Sequence, residues 1–314
     1  MIKTGIYGEF HKDTSIINNI IDVQELKIIG FYSNNFNVNS TLLDNCNIKS
    51  FSSISSLINE VDAVIALSPV SDYDNIEFLI KNFKHVFFEP SSGYSKYNML
   101  KLINLINEAN VKVQAGFHFR FNNMFLASKP YIKHPKFIQS YNFKQFSPQT
   151  NDTNYLLETL VNEINIVLNV IKSNVKTVSV NTNSINMEEP DVLNVRIEFV
   201  NRCVVQLTIS RIALENKHII NFYCDNNYVS LDFVNNKACQ ILKRNSCKQI
   251  NLFQESVEDV LVDPIHVKQN NQYYDELLSF ANTILYNKNP EIDFESLIKT
   301  YQITEEIKNK IKFP

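Results

Sequence analysis

The sequence predicts an α/β protein: a doubly wound parallel sheet in its first part, and an α+β domain with an open, mainly antiparallel sheet in its second. Three observations predict it. Short apolar runs alternate with segments of helical period over roughly the first 120 residues, the order that builds parallel strands with right-handed crossovers. The run Val61–Leu67 is apolar at every position but Asp62, which suits a strand buried on both faces. Beyond it, strand-like runs follow one another across short turns such as Asn201-Arg202 and Asp225-Asn226-Asn227, which signal hairpins. The 314 residues accommodate two domains at roughly 100–200 residues each, divided here as 1–120 and 121–314.

The elements follow in order. Ile2–Tyr7 is a first strand ending at Gly8, and Ile16, Ile17, Ile20 and Ile21 give Ser15–Asp22 a helical spacing. Leu26–Tyr32 is a second strand, Ser52–Ile58 a short helix and Val61–Leu67 a third strand. Ile76, Phe78, Leu79 and Ile80 mark a helix over Asp74–Asn82, and His85–Phe88 is a fourth strand. Ser95 opens a helix through Ala109, and Val111–Phe117 is a fifth strand. In the second domain Lys136–Phe146 is strand-like, and Tyr155–Ile171 is a helix with Leu156, Leu160, Ile164 and Val167 on its apolar side. Further β segments are expected at Val175–Val180, Val192–Val200, Cys203–Ile209, His218–Cys224, Tyr228–Phe233 and Ala238–Leu242. Two helices, near Val267–Tyr286 and Phe294–Lys312, close the chain.

Composition narrows the function. A net charge of -3 with 20% charged residues leaves no basic footprint for nucleic acid. No apolar stretch approaches the ~20 residues of a membrane helix, and the start shows no signal-peptide pattern. The five cysteines, Cys46, Cys203, Cys224, Cys239 and Cys247, match no zinc spacing and read as reduced thiols of a cytoplasmic protein. No metal site is expected. Only 5 glycines are present, which bears on phosphate binding, where loops usually need them.

Several segments then carry a resemblance. They are Lys3–His11, Asp62–Pro69, Lys84–Glu89, the run Gly116-Phe117-His118-Phe119-Arg120-Phe121-Asn122, and the closing segments Tyr273–Ile284 and Phe294–Ile307. In this order and spacing the chain resembles the Gfo/Idh/MocA oxidoreductases, the family of glucose-fructose oxidoreductase and inositol dehydrogenase. The resemblance implies an N-terminal Rossmann domain that holds NAD(P). It implies a C-terminal domain that carries the substrate site and, in many relatives, joins subunits through its sheet into a homo-oligomer. The usual reaction is hydride transfer to or from a sugar, polyol or similar hydroxyl carbon. Carried onto this chain, the cofactor-lining positions are Gly8, Phe10, His11, Ser33, Ser68, Pro69, Glu89 and Pro90. The positions facing the reaction are Glu89, His118, Glu158 and Asn162.

Most of these positions depart from the family pattern. The phosphate turn G-x-G-x-x-G needs glycine for tightness and for backbone approach to pyrophosphate. Here it reads Gly8-Glu9-Phe10-His11-Lys12-Asp13, so Gly8 alone remains and the carboxylates of Glu9 and Asp13 oppose an anion. Ser33 stands where an acid would read the ribose 2′-hydroxyl, which favours NADP over NAD. The Glu-Lys-Pro lysine is missing: Glu89 or Pro90 takes its place, and neither supplies a cation. In the helix pattern D-x-x-x-H-x-x-D, Glu158 replaces the first Asp, Asn162 the His and Asn165 the second Asp. Asparagine does not titrate near neutral pH, so it cannot exchange a proton. His118 and Arg120 follow the fifth strand at the carboxyl edge, where such sheets bind ligands; a packed His118 and an Arg120 ion pair are the plainer alternative. His134, His218 and His266 receive no role.

Two functions stay open. One is a divergent NAD(P)-dependent oxidoreductase using Glu158 or His118 for proton transfer. The other is a non-catalytic family member that binds a metabolite or protein partner in the old cleft.

Overall fold

The computed structural model describes residues 1–8, 15–33, 48–67, 73–146, 155–185, 189–225, 227–243 and 260–311. In chain order the described strands are β1 (Ile2–Tyr7), β2 (Leu26–Tyr32), β3 (Lys49–Ser50), β4 (Ala63–Ala66), β5 (His85–Phe88), β6 (Val113–Ala115) and β7 (Phe137–Gln145). Then come β8 (Val175–Asn183), β9 (Val192–Phe199), β10 (Val204–Ala213), β11 (Lys217–Tyr223), β12 (Asn227–Asp232), β13 (Lys237–Lys243) and β14 (Val260–Pro264). The helices are α1 (Ser15–Asp22), α2 (Ile54–Ile58), α3 (Tyr73–Lys81), α4 (Lys96–Ala109), α5 (Asn123–Ser128), α6 (Tyr155–Val170), α7 (Gln272–Leu285) and α8 (Phe294–Lys308).

Contacts divide the chain into two compact units. One is Met1–Phe121 with Asn271–Gln302; the other is Asn122–Asn270 with Ile303–Pro314. The single division expected at 120/121 assigns both closing helices to the second domain. By contact, however, Asn271–Gln302 clusters with the first unit. The cause is apolar: Leu277, Phe280 and Ala281 of α7 share a buried cluster with Ile2, Ile6, Ile65 and Phe87, and the Phe280 and Phe87 rings lie 5.8 Å apart.

The first unit is built on a six-stranded sheet ordered β3-β2-β1-β4-β5-β6, parallel throughout. The order reverses between β1 and β4, which makes the carboxyl edge there a topological switch point. Helices cover both faces: α1 and α7 lie over the Ile2–Ile65 side, and on the other Leu57 of α2 sits so close to Gly5 that a Cβ there would meet its Cδ1 at 2.9 Å. Five strands are expected here from the sequence; the sixth, β3, is a two-residue edge strand, too short to show any period. Helix ends follow local chemistry. Ser53 and Ser95 form capping boxes at α2 and α4, and Asn110 ends α4 in a left-handed conformation at φ 52°.

The second unit is an eight-stranded sheet, β14-β13-β12-β11-β7-β10-β9-β8, in which β7 and β10 run parallel and every other pair is antiparallel. Alternation along the strands buries Ile138, Leu207, Ile220 and Phe222 on the face that α6 covers. The opposite face carries the half-exposed Phe137, Tyr141 and Phe143 with Tyr223 and Tyr228; across strands the Phe137 and Tyr223 rings meet tilted at 5.5 Å and the Tyr223 and Tyr228 rings edge-on at 5.0 Å. Strand β14 and the short α5 are not anticipated from the sequence. Helix α7 begins at Gln272 rather than near 267 because the Asn271 side chain accepts from the Tyr274 amide. Among the described residues no helix is long and apolar enough to cross a membrane.

Candidate functional site

The carboxyl edge of the parallel sheet gathers those described positions that the sequence leads one to expect around a cofactor. The Gly8 amide donates to the Tyr32 carbonyl (3.1 Å), the Leu67 amide to Tyr7 (2.8 Å), the Glu89 amide to Ala66 (3.1 Å) and the Gly116 amide to Phe88 (2.8 Å). These bonds bring Gly8, Ser33, Glu89 and Gly116 to the ends of neighbouring strands. Gly8 has φ +155°, and a Cβ there would meet the Leu67 Cβ at 2.8 Å. Any other residue would clash with β4's exit, so the chain needs glycine at this turn. Ser33 follows β2 and is half-buried, and Glu89-Pro90 follow β5. Phe10, His11, Ser68 and Pro69 lie outside the described residues, as do Glu9, Lys12 and Asp13.

His118 and Arg120 sit in a single 3-10 turn, His118–Phe121, that follows β6. The His118 ring lies between Phe119 (4.2 Å) and Tyr273 (4.3 Å, stacked), with Nε2 3.3 Å from the Tyr273 hydroxyl. Sequence reasoning misses Tyr273 because it sits on α7, remote in the chain. Beneath this turn lies Glu276, only 2% exposed. Its carboxylate accepts the Phe117 amide, and its carbonyl accepts Gln114 Nε2 at 3.3 Å. Burial pushes the Glu276 carboxyl well above the usual range; the Phe117 amide and Arg120 pull it down, while Glu89 pushes it further up. Burial also lowers the Arg120 guanidinium's pKa, opposed by Glu291, Asp293 and Glu276. Arg120 thus stands in the field of three carboxylates, and its Nη1 is buried without a hydrogen-bond partner among the described residues.

In the second unit, Glu158 and Asn162 lie at i and i+4 of α6, both half-buried on one side of the helix. Asn162 Nδ2 donates to the Glu158 carbonyl at 3.1 Å, so the amide is tied to its own helix. Asn165 is fully buried. The residue sequence reasoning passes over is Glu163, which is 0% exposed. It accepts from Ser140 Oγ (2.7 Å) and Asn142 Nδ2 (2.9 Å) and pairs with His218 Nε2 (2.7 Å). Burial alone would raise its pKa, but His218, Asn142 and Ser140 more than reverse this and hold it below the usual carboxylate range. A second sealed pair, Arg211 Nε with Asp191 Oδ1 at 3.0 Å, ties β10 to the turn before β9. Among the described residues no three His, Cys, Asp or Glu side chains gather as a metal site requires. Burial raises the Cys203 thiol to about 11, so it is a poor nucleophile.

Comparison with known proteins agrees with this architecture. Residues 3–117 match the profile of the Gfo/Idh/MocA oxidoreductase family, NAD-binding Rossmann fold. The match covers the first domain, and its profile is that of NAD-binding oxidoreductases. No curated protein sequence matches. Among solved structures, a UDP-N-acetylglucosamine 3-dehydrogenase from Acidithiobacillus ferrooxidans is similar with a TM-score of 0.89 at 16% identity, over 99% of this chain and 97% of that one. A dehydrogenase from Clostridium difficile gives 0.81 at 17% identity, over 99% of each chain. A biliverdin reductase from Synechocystis, solved with biliverdin and NADP+, gives 0.79 at 13% identity, over 98% of each. At these identities the likeness is one of fold.

Proposed function

We propose that this chain is an NAD(P)-dependent oxidoreductase acting at a hydroxyl-bearing carbon of a sugar, polyol or related small hydroxy compound. The observation that carries the reading is the exit of β1. Gly8 keeps the positive φ and the Cβ-free approach to Leu67 that a tight dinucleotide turn demands, at the switch point of a sheet in the nucleotide-binding strand order. Of the described positions, Gly8 leaves the backbone open to the group and Ser33 leaves room for it, while Glu89 brings a carboxylate; Gly8, Ser33, Glu89 and Pro90, with Phe10, His11, Ser68 and Pro69, are the positions that would hold it. When bound, the nicotinamide supplies the hydride acceptor or donor. Ser33 presents no carboxylate to a ribose 2′-phosphate, which favours NADP. His118 can pass a proton between its Nε2 and the Tyr273 hydroxyl. Glu158 is the second group able to hold a proton, and Asn162 orients by hydrogen bonding alone. The aromatic face of the second unit's sheet supports association of copies into a homo-oligomer.

One observation favours a second reading, a non-catalytic relative that binds a metabolite or protein partner. Glu89-Pro90 puts a carboxylate and no cation at the end of β5, above the buried Glu276, where the family's lysine would steady a developing alkoxide.

The test is a titration with NADPH and NADH, followed by nicotinamide fluorescence and by melting temperature. Ligand at 100 times its Kd should add about 2.7 kcal/mol. NADP+ with UDP-N-acetylglucosamine, glucose, sorbitol or myo-inositol should then yield reduced nicotinamide. Saturable binding with turnover supports the oxidoreductase; binding without turnover on a wide panel favours the second reading. No binding to the folded protein at millimolar nucleotide sinks the first.

A further inference from the structure

Glu163 fixes more than a helix. An ionised carboxylate can only accept hydrogen bonds, so it dictates how the Asn142 amide is turned: the NH2 toward Glu163 at 2.9 Å, the carbonyl oxygen away. That oxygen lies 3.0 Å from the Tyr155 hydroxyl. A carbonyl oxygen has no proton, so Tyr155 must donate. Its one proton is committed there, and toward any further partner the phenolic oxygen can only accept. His218 and Ser140 hold Glu163 in place from β11 and β7 at 2.7 Å each, and Lys144 Nζ lies 4.8 Å from the centre of the Tyr155 ring. Tyr155, Glu158 and Asn162 fall at i, i+3 and i+7 of α6 and so share one side of the helix.

We propose that the buried Glu163–His218 pair, acting through Asn142, sets Tyr155 as a hydrogen-bond acceptor that reads a hydroxyl of a polyhydroxylated ligand on this side of α6. The site therefore prefers an alcohol to the ketone at the same carbon. An alcohol donates to Tyr155; a ketone or methyl ether brings only acceptors and sets two oxygens against each other. The inference rests on the sugar or polyol reading and deepens it. Glu163, His218 and Asn142 are positioning residues, and Tyr155 is the group that meets the ligand.

Calorimetric titration without nucleotide tests it, using two alcohol–ketone pairs: glycerol with dihydroxyacetone, and myo-inositol with 2-keto-myo-inositol. The expected result is that the alcohol of at least one pair binds about three- to tenfold tighter, the worth of one net hydrogen bond. Tyr155→Phe should erase the ratio. Glu163→Gln should shrink or reverse it, because Asn142 can then turn over and Tyr155 can donate. If Glu163→Gln does not fold, Asn142→Ala carries the same expectation. A merely structural Glu163 would weaken alcohol and ketone alike and leave the ratio intact. Equal affinities in the wild type, a ratio that survives Tyr155→Phe or the positioning variants, or no binding of either alcohol would each overturn the proposal. Because no nucleotide is present, failure here is read separately from failure of dinucleotide binding.

Discussion

Among the described residues each unit seals one glutamate away from solvent, and the pKa values of the two are shifted in opposite directions. Glu163, in the second unit, has three donors within 2.9 Å, one of them an imidazole. Its pKa is held down although burial pushes the other way. Glu276, in the first unit, has one backbone amide and a neighbouring carboxylate, and its pKa is pushed well up. Burial is common to both, so the donor set around the carboxyl decides the sign. A saturated carboxylate becomes a fixed charge that organises its neighbours. A poorly supplied one is pushed toward the protonated form.

The largest expected effect separates the two by truncation. Glu163→Ala leaves His218 buried without its partner, and breaking such a pair costs about 3–5 kcal/mol. Replacing both, as Glu163→Met with His218→Phe, should recover much of that loss, since a packed apolar pair avoids the desolvation cost. Urea unfolding of the single and double variants beside wild type checks this. A loss under about 1 kcal/mol for Glu163→Ala would mean the pair is not a fixed charge that its neighbours depend on.

The next effect is in pH dependence, with opposite signs. The folded pKa of Glu163 lies below its unfolded value, about 4.3. Its contribution to stability is therefore present above that value and lost as pH falls through the folded pKa. The folded pKa of Glu276 lies above its unfolded value, so its contribution is complete below about 4.3 and lost as pH rises through the folded pKa. Glu276→Gln, which mimics the neutral acid, should thus lie within about 1 kcal/mol of wild type in mild acid. It should gain on wild type by about 1.4 kcal/mol for each pH unit between the unfolded and folded pKa values, and then level off. Unfolding free energies across the pH range read both signs. A Glu276→Gln curve parallel to wild type would break the comparison.

The two glutamates also show what a sequence carries and what it does not. The alternation of strands and helices, the apolar β4 run and the glycine at β1's exit are local patterns, legible residue by residue. So is the departure of Asn162 from a titrating side chain. Glu163 is the very next residue, at a position α6 turns inward beside Leu160 and Ile164; an acid on an apolar side is itself a signal that a partner waits across the core. Its partner His218 alternates inward with Ile220 and Phe222 on β11. Nothing in the chain's order joins the two, because strand pairing alone brings β11 beside β7 and under α6. Glu276 and Tyr273 escape for the same reason: α7 returns to the first unit after the whole second sheet has intervened. The α5 start is readable in principle, since Asn122 caps it by accepting from the Met124 and Phe125 amides.

The smallest effect concerns Glu89, the residue that stands where the resemblance expects a lysine. Its charge is one of the causes that raise the Glu276 pKa, secondary to burial. Glu89→Gln should therefore lower the Glu276 pKa only slightly, leaving it still above the ordinary carboxylate range. Because a raised folded pKa costs stability as pH rises, the variant should be more stable than wild type on the alkaline side of that pKa, by under about 1 kcal/mol, and indistinguishable in mild acid. The same substitution in a Glu276→Gln background should change nothing on this limb, since no titrating partner remains. That double-variant cycle isolates the coupling between the two carboxyls. If Glu89→Gln instead brought Glu276 back to an ordinary carboxylate pKa, the neighbouring charge and not burial would be what raises the pKa of the first unit's acid, and the contrast with Glu163 would have to be redrawn around charge rather than donors.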